Sequence, residues 1–192
     1  MGSNPELRDF LDRSLKEGVR GLSEEHKQTL IQTDRRTGAL NPKGLETYME
    51  SIKAAVDRGL MKRLTAVFFD IDNFKGLQDR KGFGYEWGNE ALTQFSAAAV
   101  KSVRHTDEFV RYGGDEFVML LPDAEDEDVS KVLARLWKAL DENPVRFDGT
   151  ETRLRATYGV AVYPAVPLER LVEEAGRKMK KMKEKLGSGR GR

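Results

Sequence analysis

Residues 109–121 read FVRYGGDEFVMLL. Apolar residues fill both ends of this stretch, and Gly113 and Gly114 stand near its middle. Glycines between two apolar runs are typical of the turn of a β-hairpin. Asp115 and Glu116 follow the glycines directly. The stretch therefore predicts a hairpin that places two carboxylates beside its turn.

A second acidic strand end lies upstream, where the apolar run Leu64–Ile71 includes Asp70 and is followed by Asp72. Because the run is apolar on both faces, it is typical of a central strand. Carboxylates at strand ends beside a glycine turn can converge on a hard cation such as Mg²⁺, which prefers oxygen ligands. Aspartate is also common in turns and helix caps, so spacing alone leaves both interpretations open.

The apolar spacing of the rest of the chain predicts helices separated by strands. Helices are predicted over residues 5–32, from Pro42 with Asn41 as its cap, and over 87–103, 126–140 and 167–186; a last strand is predicted over 153–163. A hairpin within this mixed order favours an α+β fold, a sheet carrying helices, over a doubly wound parallel sheet.

Composition excludes several classes of function. The 192 residues are 39% hydrophobic and 34% charged, which suits one domain with a small appendage. A net charge of +1 predicts no nucleic-acid partner. The absence of cysteine excludes disulfide scaffolds and thiolate chemistry. No apolar run approaches the ~20 residues of a membrane span, and no secretory signal is visible, so a soluble, cytoplasmic domain is expected.

Four motifs, in register over about Asp34 to Lys183, resemble the GGDEF family of diguanylate cyclases. They are RYGGDEF at Arg111–Phe117, FDIDNFK at Phe69–Lys75, TYGVA at Thr157–Ala161, and the entry motif carried by Thr37, Gly38 and Asn41. The resemblance implies a palm-like (ferredoxin-like) α+β fold with a central antiparallel sheet. It also implies a dimeric enzyme that condenses two GTP into cyclic di-GMP, releases pyrophosphate, requires Mg²⁺ or Mn²⁺ and is inhibited by its product.

The same resemblance assigns roles to individual residues. Catalysis would depend on Asp70, Lys75, Asp115 and Glu116. The metal ligands would be Asp70, the Ile71 carbonyl, Asp115 and Glu116, with Glu116 alternatively deprotonating the attacking hydroxyl. Nucleotide binding would involve Asn73, Phe74, Lys75, Gln78, Asn89, Gly113, Gly114 and Lys183. For Lys75 an ordinary exposed surface lysine is the alternative.

Two departures from the family pattern fall on the positions that read the base. Gln78 replaces the usual Asn, Asn89 replaces the usual Asp, and two residues are inserted between Asp79 and Gly88. A carboxylate accepts from both donors on the edge of guanine, whereas an asparagine side chain offers one donor and one acceptor, which matches adenine. The sequence therefore predicts a weakened preference for guanine, with ATP admitted or preferred; the alternative is that both residues still bind guanine with shifted geometry.

Two further positions complete the site prediction. Arg104 and Asp107 match the family's R-x-x-D inhibitory site for cyclic di-GMP, although an ordinary helix-end capping pair would look the same. The last helix keeps Lys183 but has Gly187 where the family has an arginine. Its basic run, residues 177–185, is interpreted as a solvated helix face rather than a patch for anionic polymers.

The predicted organisation is a helical extension over residues 1–33, a catalytic domain over 34–186 and a flexible tail over 187–192. The extension could be a dimerising stalk or could pack on its own domain. Three functions remain open: a cyclic di-GMP synthase, a synthase with altered purine choice, and a non-catalytic receptor that binds cyclic dinucleotide through Arg104 and Asp107.

Overall fold

Four strands form one antiparallel sheet at the centre of the protein, whose computed structural model describes residues 24–79 and 84–189. They are β1 (Leu64–Ile71), β2 (Glu108–Gly113), β3 (Glu116–Pro122) and β6 (Ala156–Tyr163), and a separate hairpin is formed by β4 (Val145–Phe147) and β5 (Thr150–Thr152). The order across the sheet is β2-β3-β1-β6, so β1 is paired on both sides. This confirms the α+β fold, the antiparallel sheet and the central position of β1.

Six α-helices surround the sheet within the described residues. They are α1 (Glu24–Gln32), α2 (Pro42–Asp57), α3 (Phe74–Gln78), α4 (Gly84–Ser102), α5 (Asp126–Glu142) and α6 (Leu171–Gly189), with a 3₁₀ turn at Leu168–Arg170 before α6. The start of α2 is as predicted, because Asn41 accepts a hydrogen bond from the Gly44 N–H at 3.0 Å and Pro42 occupies the first turn. None of these helices is long and apolar enough to cross a lipid bilayer.

The sheet separates two hydrophobic layers. Helices α4 and α5 pack on one face, against β1 side chains that include Phe69 and Ile71. Helices α2 and α6 pack on the other face, against Phe68 and its neighbours. Side chains alternate along a strand, so Asp70 shares the face of Phe68. It is the one residue of β1 that is not fully buried, and it lies at the edge of the layer under α6.

The structure corrects several predicted bounds. Helix α4 begins at Gly84 rather than 87, and β6 begins at Ala156 rather than 153. The short α3 and the β4–β5 hairpin were not predicted, because elements of three to five residues are too short to show a period. Helix α6 continues to Gly189, past the predicted start of the tail at 187. The predicted helix over residues 5–23 lies outside the described residues.

Candidate active site

Three carboxylates meet at one end of the sheet. Asp70 of β1 is the register partner of Glu116 at the start of β3. The Ile71 N–H donates to the Asp115 carbonyl at 3.2 Å, which ties the hairpin turn to the end of β1. Directly opposed residues on one face of an antiparallel pair lie close enough for their side chains to interact. The two acidic strand ends predicted from sequence are therefore brought together.

An arginine holds the hairpin turn in place. Gly114 has φ +52°, a conformation that favours glycine, and a bulge between Arg111 and Gly113 sharpens the bend. The Arg111 guanidinium donates to the Gly114 carbonyl from Nε at 3.1 Å and from a terminal nitrogen at 2.8 Å. Its other terminal nitrogen donates to Asp34 at 3.1 Å. Arg111 thus ties the turn that carries Asp115 to Asp34, which lies outside the hairpin.

Asp34 is a residue that sequence reasoning missed. It accepts hydrogen bonds from the Thr37 N–H at 2.9 Å and the Thr37 hydroxyl at 2.7 Å, besides the pair with Arg111. Burial opposes its ionisation, but the Thr37 hydrogen bonds and the Arg111 charge together lower the pKa of Asp34. Asp34 and Arg111 are 77 positions apart in sequence, so no local spacing signal predicts this pair.

Replacing Asp34 with asparagine should lower the free energy of unfolding at neutral pH by about 2 kcal/mol, because hydrogen bonds to a charged group are lost. A lowered pKa means that the charge of Asp34 stabilises the fold above its ordinary value of 3.8. This contribution disappears as pH falls through the lowered pKa. Urea unfolding of both proteins at neutral and acid pH measures it. A difference that stays constant with pH would contradict the electrostatic explanation.

The last helix brings a lysine to the carboxylates. The Lys183 ammonium donates to Asp70 Oδ1, and both side chains are partly withdrawn from solvent, with 39% and 15% exposure. Helix α6 can lie this close to β6 because Gly159 has no side chain. A Cβ atom there would stand 2.3 Å from both the Ala175 carbonyl oxygen and the Met179 nitrogen. Lys183, which is predicted to contact the triphosphate, therefore forms an ion pair with Asp70 within the site.

Electrostatics in this cluster favour a cation. Burial raises the pKa of Asp115, and the neighbouring Asp70 charge raises it further. Burial and the Asp70 charge raise the pKa of Glu116 in the same way, whereas the charges of Lys180 and Lys183 lower it. Carboxylates that repel one another in a partly buried site are stabilised by a cation between them.

The donor set fits Mg²⁺ or Mn²⁺ only with help from a ligand. Within residues 24–79 and 84–189, no three His, Cys, Asp or Glu side chains are grouped so that they could hold a metal ion. Mg²⁺ commonly takes one or two protein carboxylates and completes its shell with phosphate or water oxygens. Asp70 and Asp115 supply such carboxylates, and the Ile71 carbonyl lies at the same strand end.

A sharp turn leads from β1 into α3 and positions the residues predicted to bind phosphate. Asn73 has φ 56°, and α3 begins at Phe74 directly after it. The turn is supported by Asp72, which accepts from the Thr157 hydroxyl at 2.6 Å. Lys75 is exposed on the first turn of α3. Asn73, Phe74 and Lys75 thus lie within five residues of Asp70, and their phosphate contacts stay a prediction.

One of the two residues predicted to read the base, Gln78, packs against the helix that carries the other, Asn89. A Cβ atom on Gly88 would stand 2.9 Å from Gln78 Nε2, so the Gln78 side chain packs against the first turns of α4. Asn89 follows Gly88 on the same helix, and both amide side chains are half-buried. Residues 80–83, which belong to the segment with the predicted two-residue insertion, lie outside the described residues. Gln78 and Asn89, eleven positions apart in sequence, therefore lie on two helices that pack together, α3 and α4.

Arg104 and Asp107 lie apart from the carboxylates, at the end of α4. Both line a cavity of about 180 Å³. Asp107 is buried and accepts a hydrogen bond from the Arg104 N–H at 2.7 Å, while the Arg104 guanidinium donates to Asp128 at 2.8 Å. Burial raises the pKa of Asp107. The hydrogen bond expected of a helix-end capping pair is therefore present. The binding of cyclic di-GMP to Arg104 and Asp107 stays a prediction.

Comparison with known proteins agrees with this geometry. Diguanylate cyclase DosC of Escherichia coli K12 is 29% identical over 159 residues, which are 82% of this chain and 34% of DosC. A sensory box/GGDEF family protein from Caulobacter crescentus superimposes with a TM-score of 0.69 at 27% identity, covering 80% of this chain and 99% of that one. A microbial GGDEF domain studied with cyclic di-GMP gives a TM-score of 0.67 at 26% identity, covering 82% and 94%.

The family match covers most of this chain, whereas the curated relatives are much longer than it. The chain spans about a third of the length of the curated relatives it matches. The family described as diguanylate cyclase, GGDEF domain, matches residues 31–188, which include all three carboxylates, the hairpin and Lys183. The chain therefore belongs to the GGDEF domain family.

Proposed function

We propose that this chain condenses two molecules of GTP into cyclic di-GMP and releases pyrophosphate, with two copies of the chain each holding one nucleotide. The observation that carries the proposal is the meeting of Asp70, Asp115 and Glu116 beside a glycine turn, with the Lys183 ammonium paired to Asp70. This is the charge pattern that a triphosphate with a divalent ion requires.

In the proposed reaction, the 3′-hydroxyl oxygen of each nucleotide forms a bond to the α-phosphorus of the other. Each new bond breaks the bond to one pyrophosphate, so two pyrophosphates leave for each cyclic dinucleotide. Asp70, Asp115 and the Ile71 carbonyl would hold Mg²⁺ or Mn²⁺, which supplies charge neutralisation at the phosphates. Glu116 would accept the hydroxyl proton or bind a second ion.

The triphosphate would be held by groups on three sides of the carboxylates. Gly113 and Gly114 leave open space, since a Cβ atom on either would meet no atom within 4 Å, so a nucleotide could approach the backbone. The turn at Asn73 and Phe74 would direct backbone N–H groups to the phosphates. Lys75 and Lys183 would contribute positive charge.

A second candidate, a synthase that accepts ATP, is favoured by the base-reading positions. Gln78 packs against the helix that carries Asn89, and neither residue has the carboxylate that would pair with both donors of guanine. Guanine bound to Asn89 would leave a donor without a partner, which costs ~1–3 kcal/mol. The product would then be cyclic GMP-AMP or cyclic di-AMP.

Replacing Asn89 with aspartate should therefore increase the preference for GTP over ATP by roughly 5- to 150-fold, because ~1–3 kcal/mol of pairing is restored. The ratio is measured by competition between the two nucleotides in one reaction. Gln28→Glu, an amide-to-acid change on an exposed residue of α1, is the matched control and should leave the ratio unchanged. An unchanged ratio for Asn89→Asp would mean that this position does not read the base.

We further propose that cyclic di-GMP inhibits the enzyme at the cavity beside Arg104 and Asp107. The cavity and the half-exposed guanidinium support a binding site for an anionic dinucleotide. Binding would require Arg104 to exchange Asp128 for the ligand. The pair lies at the surface, with 57% of the Arg104 side chain and 28% of the Asp128 side chain exposed, so its loss costs little.

The test of the proposed function is a product assay with equal GTP and ATP and Mg²⁺, resolved by mass spectrometry. Cyclic di-GMP as the main product supports the first proposal, and products that contain adenine support the second. Absence of any cyclic dinucleotide at protein concentrations high enough for dimers would contradict both and favour a receptor. Equilibrium dialysis with cyclic di-GMP, compared with an Arg104→Ala variant, would then test that alternative.

A further inference from the structure

Lys183 and Asp70 form an ion pair at the position where the proposed function needs a metal carboxylate. The ammonium donates to Oδ1 of Asp70, and the carboxylate is 15% exposed. The pair joins residues 113 positions apart, and it depends on the close approach of α6 to β6 at Gly159. The lysine is therefore held against this carboxylate by the fold.

A divalent cation and the Lys183 ammonium would each weaken the binding of the other to the Asp70 carboxylate. Both would stand within a few ångströms of one carboxylate that water screens poorly, so they would repel each other. Asp115 and Glu116 are near enough for their charges to interact with Asp70 and with Lys183, but the described contacts of Lys183 are with Asp70 alone. Asp70 becomes fully available to a cation only when Lys183 leaves it.

An incoming triphosphate offers Lys183 another partner. Helix α6 has no arginine at position 187, so Lys183 is the residue of its last turns that the proposed function assigns to the phosphates. Lys180 lies one helical turn earlier, and its charge acts on Glu116, whereas the ammonium that contacts Asp70 is that of Lys183. The Lys183 ammonium would therefore serve two partners in turn.

We infer that Lys183 is a positioning residue that occupies Asp70 until nucleotide arrives, so that the metal ion and the nucleotide bind together rather than one after the other. The inference rests on the proposed function, because it concerns the metal carboxylate of the same site. Moving Lys183 from Asp70 to the triphosphate removes repulsion from the metal position and adds attraction at the phosphates. Each ligand then increases the affinity for the other, which is positive coupling.

Measurement of Mn²⁺ affinity by electron paramagnetic resonance tests the inference without turnover. Lys183→Met, in the full chain and without nucleotide, should bind Mn²⁺ about tenfold more tightly than the wild type. With the non-cyclisable α,β-methylene analogue of GTP present, the wild type should bind Mn²⁺ more tightly than Lys183→Met, because the variant lacks the contact between Lys183 and the phosphates. Lys181→Met, a change to an exposed lysine on the same helix, is the matched control and should behave as wild type in both conditions.

Equal Mn²⁺ affinities for the wild type and Lys183→Met without nucleotide would overturn the inference. A Lys183→Met variant that binds Mn²⁺ more tightly than the wild type both with and without the nucleotide analogue would also overturn the inference. Lys183 would then act only as a charge that repels the cation. Lys183→Gln gives a second variant if the methionine protein does not fold. These results are separate from the product assay: a reversal of Mn²⁺ affinities in a chain that makes no cyclic dinucleotide would support the inference while contradicting the proposed function.

Discussion

Replacing Asp115 with asparagine should lower the rate of cyclic dinucleotide formation by at least about a thousandfold, the loss expected when several kcal/mol of charge stabilisation at the phosphates disappears. The asparagine keeps the shape of the turn, because the turn depends on Gly114 and on the Arg111 hydrogen bonds rather than on the Asp115 side chain. Mass-spectrometric quantification of product under single-turnover conditions measures the change.

The same variant should be at least as stable as the wild type. Burial and the Asp70 charge raise the pKa of Asp115, so the ionised side chain destabilises the folded state near neutral pH. Removing that charge should move the urea midpoint upward or leave it unchanged. Loss of activity with no loss of stability is typical of a residue retained for function.

The control for this substitution is Asp57→Asn, at the exposed end of α2, which should change neither rate nor stability. A rate within tenfold of wild type for Asp115→Asn would mean that Asp115 does not hold a metal ion during turnover. A fall in both rate and stability would instead identify a structural role.

Replacing Gly159 with alanine should lower the free energy of unfolding by about 3 kcal/mol, at the upper end of the range for an overpacked core. The added Cβ would lie 2.3 Å from two backbone atoms of α6, and a helix backbone cannot yield as a side chain can. For a chain of this length, the melting temperature should fall by roughly 6 to 12 °C. Calorimetry measures it.

The matched control is Gly176→Ala on the facing helix. A Cβ atom there would meet the Phe68 ring at 3.4 Å, an ordinary contact, and alanine favours the helix by ~0.5–1 kcal/mol. This variant should melt at or above the wild-type temperature. Equal melting temperatures for Gly159→Ala and the wild type would show that α6 does not depend on close approach to β6. Displacement of α6 would also carry Lys183 away from Asp70.

Much of the fold could be predicted because its main elements have local signals. The apolar run of β1, the glycine turn of the β2–β3 hairpin and the Asn41-Pro42 start of α2 each depend on residues adjacent in sequence. The β4–β5 hairpin had such a signal in Asp148 and Gly149, both of which have positive φ, but its strands of three residues were too short to be recognised. Helix α3, five residues long, shows no period.

The sequence by itself determined which residues carry charge and which strand ends present them: Asp70 and Asp72 at the end of β1 and the Asp115-Glu116 pair at the turn. It also determined the family to which the chain belongs. Only the tertiary structure decided how they are held. The Asp34–Arg111 and Asp70–Lys183 pairs span 77 and 113 residues, and Gly159 is necessary only because the α6 backbone lies on it. Such contacts depend on strand register and helix packing, which are properties of the whole core and leave no periodic mark on the local sequence.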